Sequence, residues 1–332
     1  MRDPQLTVVI PVKLGGALGR EMRGALLRLC LVALDCQTAP RSAFEVVVVD
    51  DGSDLDLDAL VGEFARRHLS IRPRTIRNTG PSHGQTAAYN AGIDAARGRH
   101  VLLTTDDSML APDCVAAHLT AQAGRMAGAY VCGVERQYVY GVLFRNISSG
   151  SLHPRGDLAV RLFGTLLGFA DIREAAEQLG FTDWTITPAD VRTRFAELYR
   201  LSALTPSFAD MYEELRSDRT DLRWLSVRMG NHSIARDALL RIGGLDETVP
   251  GGNSDQDLGL KLIDAGVRIE LDPRATSILI EHRRDPRAFA DGSGLARLAE
   301  RWPRPDVLNL HAFFSRGYGR TIASYRQILE RA

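Results

Sequence analysis

The chain has 332 residues, enough for one large domain or two modest ones, and its 45% hydrophobic and 25% charged make-up is that of an ordinary globular protein. Its formal net charge is zero, so no global field favours nucleic acid or an anionic membrane. No apolar run is long enough for a transmembrane helix, and Cys30, Cys36, Cys114 and Cys132 lack the spacing of a metal or redox motif. Met1-Arg2-Asp3-Pro4 leads straight into strand-like sequence without a signal-peptide pattern. The expectation is a cytoplasmic protein with reduced cysteines in its core.

In chain order, Leu6–Val12 reads as a buried strand ended by Pro11 and the loop at Gly15-Gly16. Helical spacing of Met22, Leu26, Leu29, Val32 and Ala33 predicts a helix over Glu21–Leu34. A second strand, Phe44–Asp50, runs into Asp50-Asp51-Gly52-Ser53. A helix over Leu57–His68, a strand over Ile71–Ile76 and a helix over Gln85–Arg97 follow, the last closing at Gly98. His100–Thr104 is the next strand. Strands alternating with helices predict a doubly wound parallel sheet through about residue 130. No G-x-G-x-x-G follows the first strand, which disfavours a dinucleotide-binding site.

The stretch Val101–Ser108 concentrates the chemistry. A short apolar strand runs into the adjacent carboxylates Asp106 and Asp107, where ligands of open α/β sheets bind. Two readings stand on these residues alone. The pair could be ordinary turn residues, with Asp113 capping the next helix. Alternatively, the two like charges could hold a divalent cation that also grips phosphate oxygens.

From Tyr138 to about Ser226 the pattern becomes helical, in Leu158–Phe169, Ile172–Leu179 and Val191–Leu201, punctuated by prolines. Strand character resumes over Leu225–Met229, Asn231–Ile242 reads as a helix broken at Gly243-Gly244, and a glycine-containing loop, Val249–Ser254, leads to a helix beginning near Asp255. Two short strands, Arg268–Leu271 and Ile278–His282, come next. Residues 295–332 read as two short helices without chemistry. The organisation expected is thus 1–137, a helical insertion at 138–226, a second half at 227–290 and an extension at 291–332.

Several of these segments resemble the family 2 glycosyltransferases. The resemblance is carried in order by Val8-Val9-Ile10-Pro11, Val47-Val48-Val49-Asp50-Asp51-Gly52-Ser53, Arg77-Asn78-Thr79-Gly80 with Ala88-Tyr89-Asn90-Ala91-Gly92, Thr105-Asp106-Asp107, Gly243-Gly244-Leu245-Asp246-Glu247 and the acid-rich helix start at Asp255. It implies an α/β GT-A fold, a mostly parallel sheet flanked by helices, and transfer of a sugar from a nucleotide diphosphate, a UDP-sugar first among the donors. The acceptor would be a hydroxyl of a glycan, a lipid-linked glycan met at the bilayer surface, or a natural product.

The same resemblance implies roles. Pro11 and Val12 would lie against the base, Asp51 would accept from base or ribose, and Asn78, Gly80 and Asn90 would line the diphosphate side. The family's D-x-D has Thr105 at its first acid, so Asp107 becomes the ligand for Mn2+ or Mg2+ and Asp106 a contact to ribose or metal shell. The family's Glu-Asp pair reads Ser254-Asp255, which keeps the aspartate as base and loses the glutamate. His282 falls where many GT-A enzymes supply a third metal ligand. Asp50 reads as a support for its loop and Asp257 as structural, while His83, Arg77 and Trp224 are candidate pocket residues. Direct attack assisted by one base implies inversion. A nucleotidyltransferase would share the sheet, but Lys13-Leu14-Gly15-Gly16 only faintly echoes its signature. Thr105 and Ser254 also leave open a degenerate carbohydrate-binding module.

Overall fold

A computed structural model of the chain describes residues 3–15, 17–138, 186–202, 204–249, 253–280, 293–314 and 321–331. Eight strands form one sheet in the order β3-β2-β1-β4-β7-β6-β8-β5. The first four are β1 (Leu6–Val12), β2 (Phe44–Asp50), β3 (Arg74–Arg77) and β4 (His100–Thr104), all parallel. Helices α1 (Ala17–Asp35), α2 (Leu57–His68) and α3 (Gln85–Ala95) connect them. β1 is buried along its whole length, and apolar runs of this kind pair only where helices cover both faces.

The second half of the sheet is mixed rather than mostly parallel. β7 (Asn231–Ala235) runs antiparallel to β4, and β6 (Tyr130–Tyr138) antiparallel to β7. β8 (Ile269–Ile280) is parallel to β6, and the short β5 (Ser108–Leu110) is antiparallel to β8. The expected helix over Asn231–Ile242 is therefore a strand followed by only a short helix, α8 (Arg236–Arg241). Its polar residues hid the strand because they are buried and satisfied. His118, from α4 (Cys114–Ala123), meets Ser233 Oγ through Nδ1 and Asn231 Oδ1 through Nε2, both at 2.8 Å. Burial pushes the His118 pKa down to about 4, so the ring is neutral there.

The two strands expected at Arg268–Leu271 and Ile278–His282 are one, interrupted where Asp272-Pro273-Arg274 bulges out between the pairings Cys132↔Leu271 and Val134↔Thr276. Proline is tolerated in a sheet at such a bulge. The strand expected at Leu225–Met229 is instead a 3-10 turn, Arg223–Ser226, because Trp224 and Leu225 turn into a separate apolar cluster rather than alternating across a sheet. Asp113 precedes α4 but makes no side-chain capping bond.

The helices expected over Leu158–Phe169 and Ile172–Leu179 lie outside the described residues. The helix expected over Val191–Leu201 is broken at Arg194 into α5 (Pro188–Thr193) and α6 (Phe195–Leu201), and α7 (Pro206–Arg216) follows. Val191 and Leu198 join the core beneath α1, while Phe208, Tyr212 and Leu215 join the core on the other face. The described residues of the C-terminal stretch form four short helices rather than two: α10 (Ser293–Arg301), α11 (Pro305–Leu308), α12 (Leu310–Phe314) and α13 (Ile322–Leu329). They close a third cluster around Trp224, Leu260, Leu298 and Tyr325. No helix among the described residues is long and apolar enough to cross a membrane.

Helix α9 (Ser254–Asp264) crosses the 3-10 turn so closely that a β-carbon at Gly259 would overlap the Trp224 carbonyl oxygen. Backbone cannot yield as a side-chain tip can. Gly259→Ala should lower stability by about 1–3 kcal/mol, read as a lower urea midpoint, and an unchanged midpoint would show that α9 shifts freely.

Candidate active site

The carboxyl edge of the parallel strands gathers the acids. Pro11 and Val12 end β1 and are buried, and the Val12 carbonyl accepts from Asp51 N–H at 2.9 Å. Asp50 holds its own loop by accepting from Ser53 N–H at 2.7 Å. Asp51 is 4% exposed and organises the segment after β3. Its Oδ1 accepts from Asn78 Nδ2 at 3.0 Å and its Oδ2 from Gly84 N–H at 2.7 Å. His83 Nδ1 stands 3.5 Å from Oδ1. Asn78 also donates to Ser82 and accepts from Gly80 N–H at 3.1 Å, so Asn78, Gly80 and Asp51 form one loop.

Asn90 is joined elsewhere. Its amide donates to the Leu245 carbonyl and to Glu247, and its oxygen accepts from Leu245 N–H. It therefore ties α3 to the Gly243–Glu247 loop. Trp224 is fully buried in the C-terminal cluster and donates to Asp306, so it lines no pocket. Arg77 is exposed and borders a cleft of about 730 Å³ with Asp50, Ser53 and Thr75.

Asp106 and Asp107 are the central residues of a tight turn, closed by Ser108 N–H donating to the Thr105 carbonyl at 3.2 Å. They are therefore turn residues, as one of the two readings has it, and they are two neighbouring acids only 1% and 3% exposed. Arg23 on α1 reaches Asp106 Oδ1 at 2.8 Å. Cys30 lies beneath, its thiol donating to the Thr105 carbonyl at 3.6 Å, and burial with the charges of Asp106 and Asp107 pushes that thiol well above its usual range. Tyr89 closes the floor by donating to the carbonyls of Thr104 and Met229. Burial raises the Tyr89 hydroxyl well above the usual range, and Asp255, Asp107 and Asp106 all add to it. The charges of all three acids therefore act on one buried phenol.

Asp255 sits in the first turn of α9 and is not its cap, since Asn253 holds that position. It is half-buried, and among the described residues its carboxylate makes no hydrogen bond or ion pair. Burial pushes its pKa up to about 6, against the positive charge of Arg228. Arg228 in turn rests over the Phe208 ring at 4.3 Å. An accessible carboxyl poised near neutrality is what proton transfer requires.

Among the described residues no three acids, histidines or cysteines form a metal cage. Two adjacent hard carboxylates nevertheless fit Mg2+ or Mn2+, which is commonly held by one or two acids while substrate phosphates and water complete the shell. His282 lies outside the described residues, as does the Gly251-Gly252 loop. Arg23, Arg228 and Tyr89 escaped the sequence reading. The two arginines carried no signal among 41 basic residues, and Tyr89 was visible only as part of a motif.

The model for glycosyl transferase family 2 matches residues 7–168. The uncharacterized glycosyltransferase YfnE of Bacillus subtilis is 24% identical over 298 residues, covering 86% of this chain and 71% of the relative. Validoxylamine A glucosyltransferase of Streptomyces hygroscopicus subsp. jinggangensis is 27% identical over 282 residues; the match spans 85% of this chain and only 56% of the relative. Among solved structures, S. aureus TarS 1-349 in complex with UDP-GlcNAc aligns at a TM-score of 0.53 and 15% identity, covering 98% of this chain and 71% of that one.

Proposed function

Because the chain belongs to glycosyltransferase family 2 and has the GT-A fold, we propose that it transfers a sugar, with inversion, from a nucleoside diphosphate donor to an acceptor hydroxyl, assisted by Mn2+ or Mg2+. What supports this reading is that Asp255, pushed up to about 6 by burial, and the buried pair Asp106 and Asp107 all act electrostatically on the one buried Tyr89 hydroxyl.

In this reading Pro11 and Val12 lie against the base, Asp51 accepts from base or ribose, and Asn78 and Gly80, in one loop with Asp51, line the diphosphate side. Asp107, with Asp106 beside it, would hold the cation, whose part is to neutralise charge growing on the leaving diphosphate. The acceptor oxygen forms its bond to the anomeric carbon as the bond to the diphosphate oxygen breaks, and the diphosphate leaves with that electron pair. Asp255 takes the hydroxyl proton. Displacement from one face by a single base gives inversion. A UDP-sugar is the first donor to try, and a hydroxyl of a glycan, a lipid-linked glycan or a small molecule the acceptor. One relative is named for glucosyl transfer to validoxylamine A, which supports including small molecules.

The test is a melting-temperature screen of UDP-, GDP- and dTDP-sugars with and without Mn2+ or Mg2+, alongside donor hydrolysis, on wild type and Asp107→Ala. A ligand that binds only the native state raises the melting temperature. One nucleotide should do so in a metal-dependent way, and Asp107→Ala should remove the effect. A well-folded sample unmoved by every nucleotide would overturn the donor assignment.

A further inference from the structure

Arg228 follows the 3-10 turn, is half-buried, and has its backbone pinned on both sides. Its N–H donates to His232 Nδ1 at 3.2 Å, and its carbonyl accepts from Tyr130 OH at 2.8 Å. The next carbonyl, that of Met229, accepts from the same Tyr89 hydroxyl that donates to Thr104 at the end of β4. Hydrogen bonds thus fix the backbone around Arg228 to the strand that runs into the acid turn. The guanidinium lies over the Phe208 ring at 4.3 Å. Among the described residues it makes no hydrogen bond or ion pair, although its Nε is buried.

Other arginines of similar burial are engaged. Arg136 also lies over a ring, that of Tyr199 at 5.0 Å, but it donates to the Ser202 hydroxyl and carbonyl. Arg223, at the start of the 3-10 turn, donates to the carbonyls of Ser217, Arg219 and Ile269. A guanidinium that only braced the fold would be satisfied in this way. Burying its N–H groups unpaired costs free energy that an aromatic face offsets only in part. Asp255 does not supply the missing partner, since among the described residues it makes no ion pair either. The charge of Arg228 nevertheless acts on Asp255, so the two stand near one another without joining.

A planar guanidinium held against a ring, with its donors uncommitted, is suited to an oxyanion. Resting on the proposed function, we propose that Arg228 is an acceptor-binding residue and that the acceptor carries an oxyanion, a phosphate or a carboxylate, near the hydroxyl that receives the sugar. The acceptor then bridges the two residues, its oxyanion on Arg228 and its hydroxyl on Asp255. Neutralising Arg228 also removes its downward pull on the Asp255 pKa, so a charged acceptor strengthens the base that it uses.

The test uses the full chain as wild type, Arg228→Gln and Arg228→Lys, each of verified melting temperature. The acceptor probes are glucose, glucuronate and glucose 6-phosphate, which share a ring and differ in charge at C6. Binding is followed by ligand-observed NMR with Mg2+ and the nucleoside diphosphate of the preferred donor saturating, so that the phosphate side is already filled. Wild type should prefer both charged probes to glucose, and the tighter of the two tells phosphate from carboxylate. Arg228→Gln should weaken both about ten-fold, the scale of one charge-assisted hydrogen bond, and leave glucose unchanged. Arg228→Lys should recover part of that loss. If Arg228→Gln leaves probe binding unchanged and only moves the acid limb of donor hydrolysis to higher pH, the residue tunes Asp255 and the inference falls. Equal losses for all three probes would make Arg228 a brace for the fold, with the same result. The inference also falls if wild type binds neither charged probe more tightly than glucose. Wild type whose melting temperature responds to no nucleotide would overturn the proposed function, and this inference with it.

Discussion

Asp255→Asn is expected to abolish sugar transfer and, at neutral pH, to make the protein more stable. The amide has the same shape but cannot take a proton, and loss of a general base typically slows a reaction by about 10²–10⁴-fold. The stability effect follows from the same burial. The Asp255 pKa is raised from 3.8 to about 6, so the folded state holds this proton more tightly than the unfolded chain does. Stability from this group is then full below the ordinary carboxylate range and is lost as pH rises from about 4 through about 6. Above that window the ionised carboxylate costs the fold at most ~3 kcal/mol, less whatever Arg228 returns. The asparagine variant should therefore melt higher at pH 7.5, with the gap to wild type narrowing as pH falls toward 5. In wild type kcat/KM should decline below about pH 6 as the base becomes protonated. A variant that keeps a tenth of the transfer rate, or melts below wild type at pH 7.5, would remove Asp255 from the role of base.

The parts of this site that the sequence exposed share one physical trait: a buried apolar strand that stops abruptly in acids. β2 ending at Asp50 and β4 ending before Asp106 are of this kind, and both strand ends fell where they were expected. β7 is the opposite case. Asn231, His232 and Ser233 are buried polar residues with partners on α4, β6 and β8, more than forty residues away; only His232 also has a near one, accepting from the Arg228 N–H. Local periodicity carries no information about such partners, so a central strand was read as a helix. The division of labour among the acids was hidden for a related reason. Asp50 and Asp51 are neighbours of identical type, yet Asp50 caps its own turn while Asp51 binds Asn78 and Gly84 across the loop. Alternation along the strand decides which way each points, and only the folded loop shows what each meets.

The second large effect lies two residues beyond Asp255. Asp257 is fully buried, and its Oδ1 accepts from Trp302 Nε1 at 2.9 Å while Lys261 Nζ lies 3.8 Å from Oδ2. Arg301 pairs with Asp246 and stands 3.5 Å from Asp257, and Lys261 donates to the Gly244 carbonyl at 2.9 Å. The C-terminal helices, which carry no chemistry in their sequence, thus fasten both the helix bearing Asp255 and the Gly243–Glu247 loop. Burial pushes the Asp257 carboxyl up and the Lys261 ammonium down, so each ion is held against a desolvation penalty and the pair adds little net stability. Removing one partner alone is another matter, because a buried ion and the Trp302 N–H lose their counterpart together. Asp257→Ala should cost about 3–5 kcal/mol in urea unfolding, against about 1 kcal/mol for Trp302→Phe, which deletes one hydrogen bond. The double variant Asp257→Asn with Lys261→Met leaves an acceptor for Trp302 and no unpaired charge, and should regain most of the Asp257→Ala loss. If the double variant is as unstable as Asp257→Ala, the charges themselves hold α9 in place, and burial of the pair is not the weak link that the two pKa directions indicate.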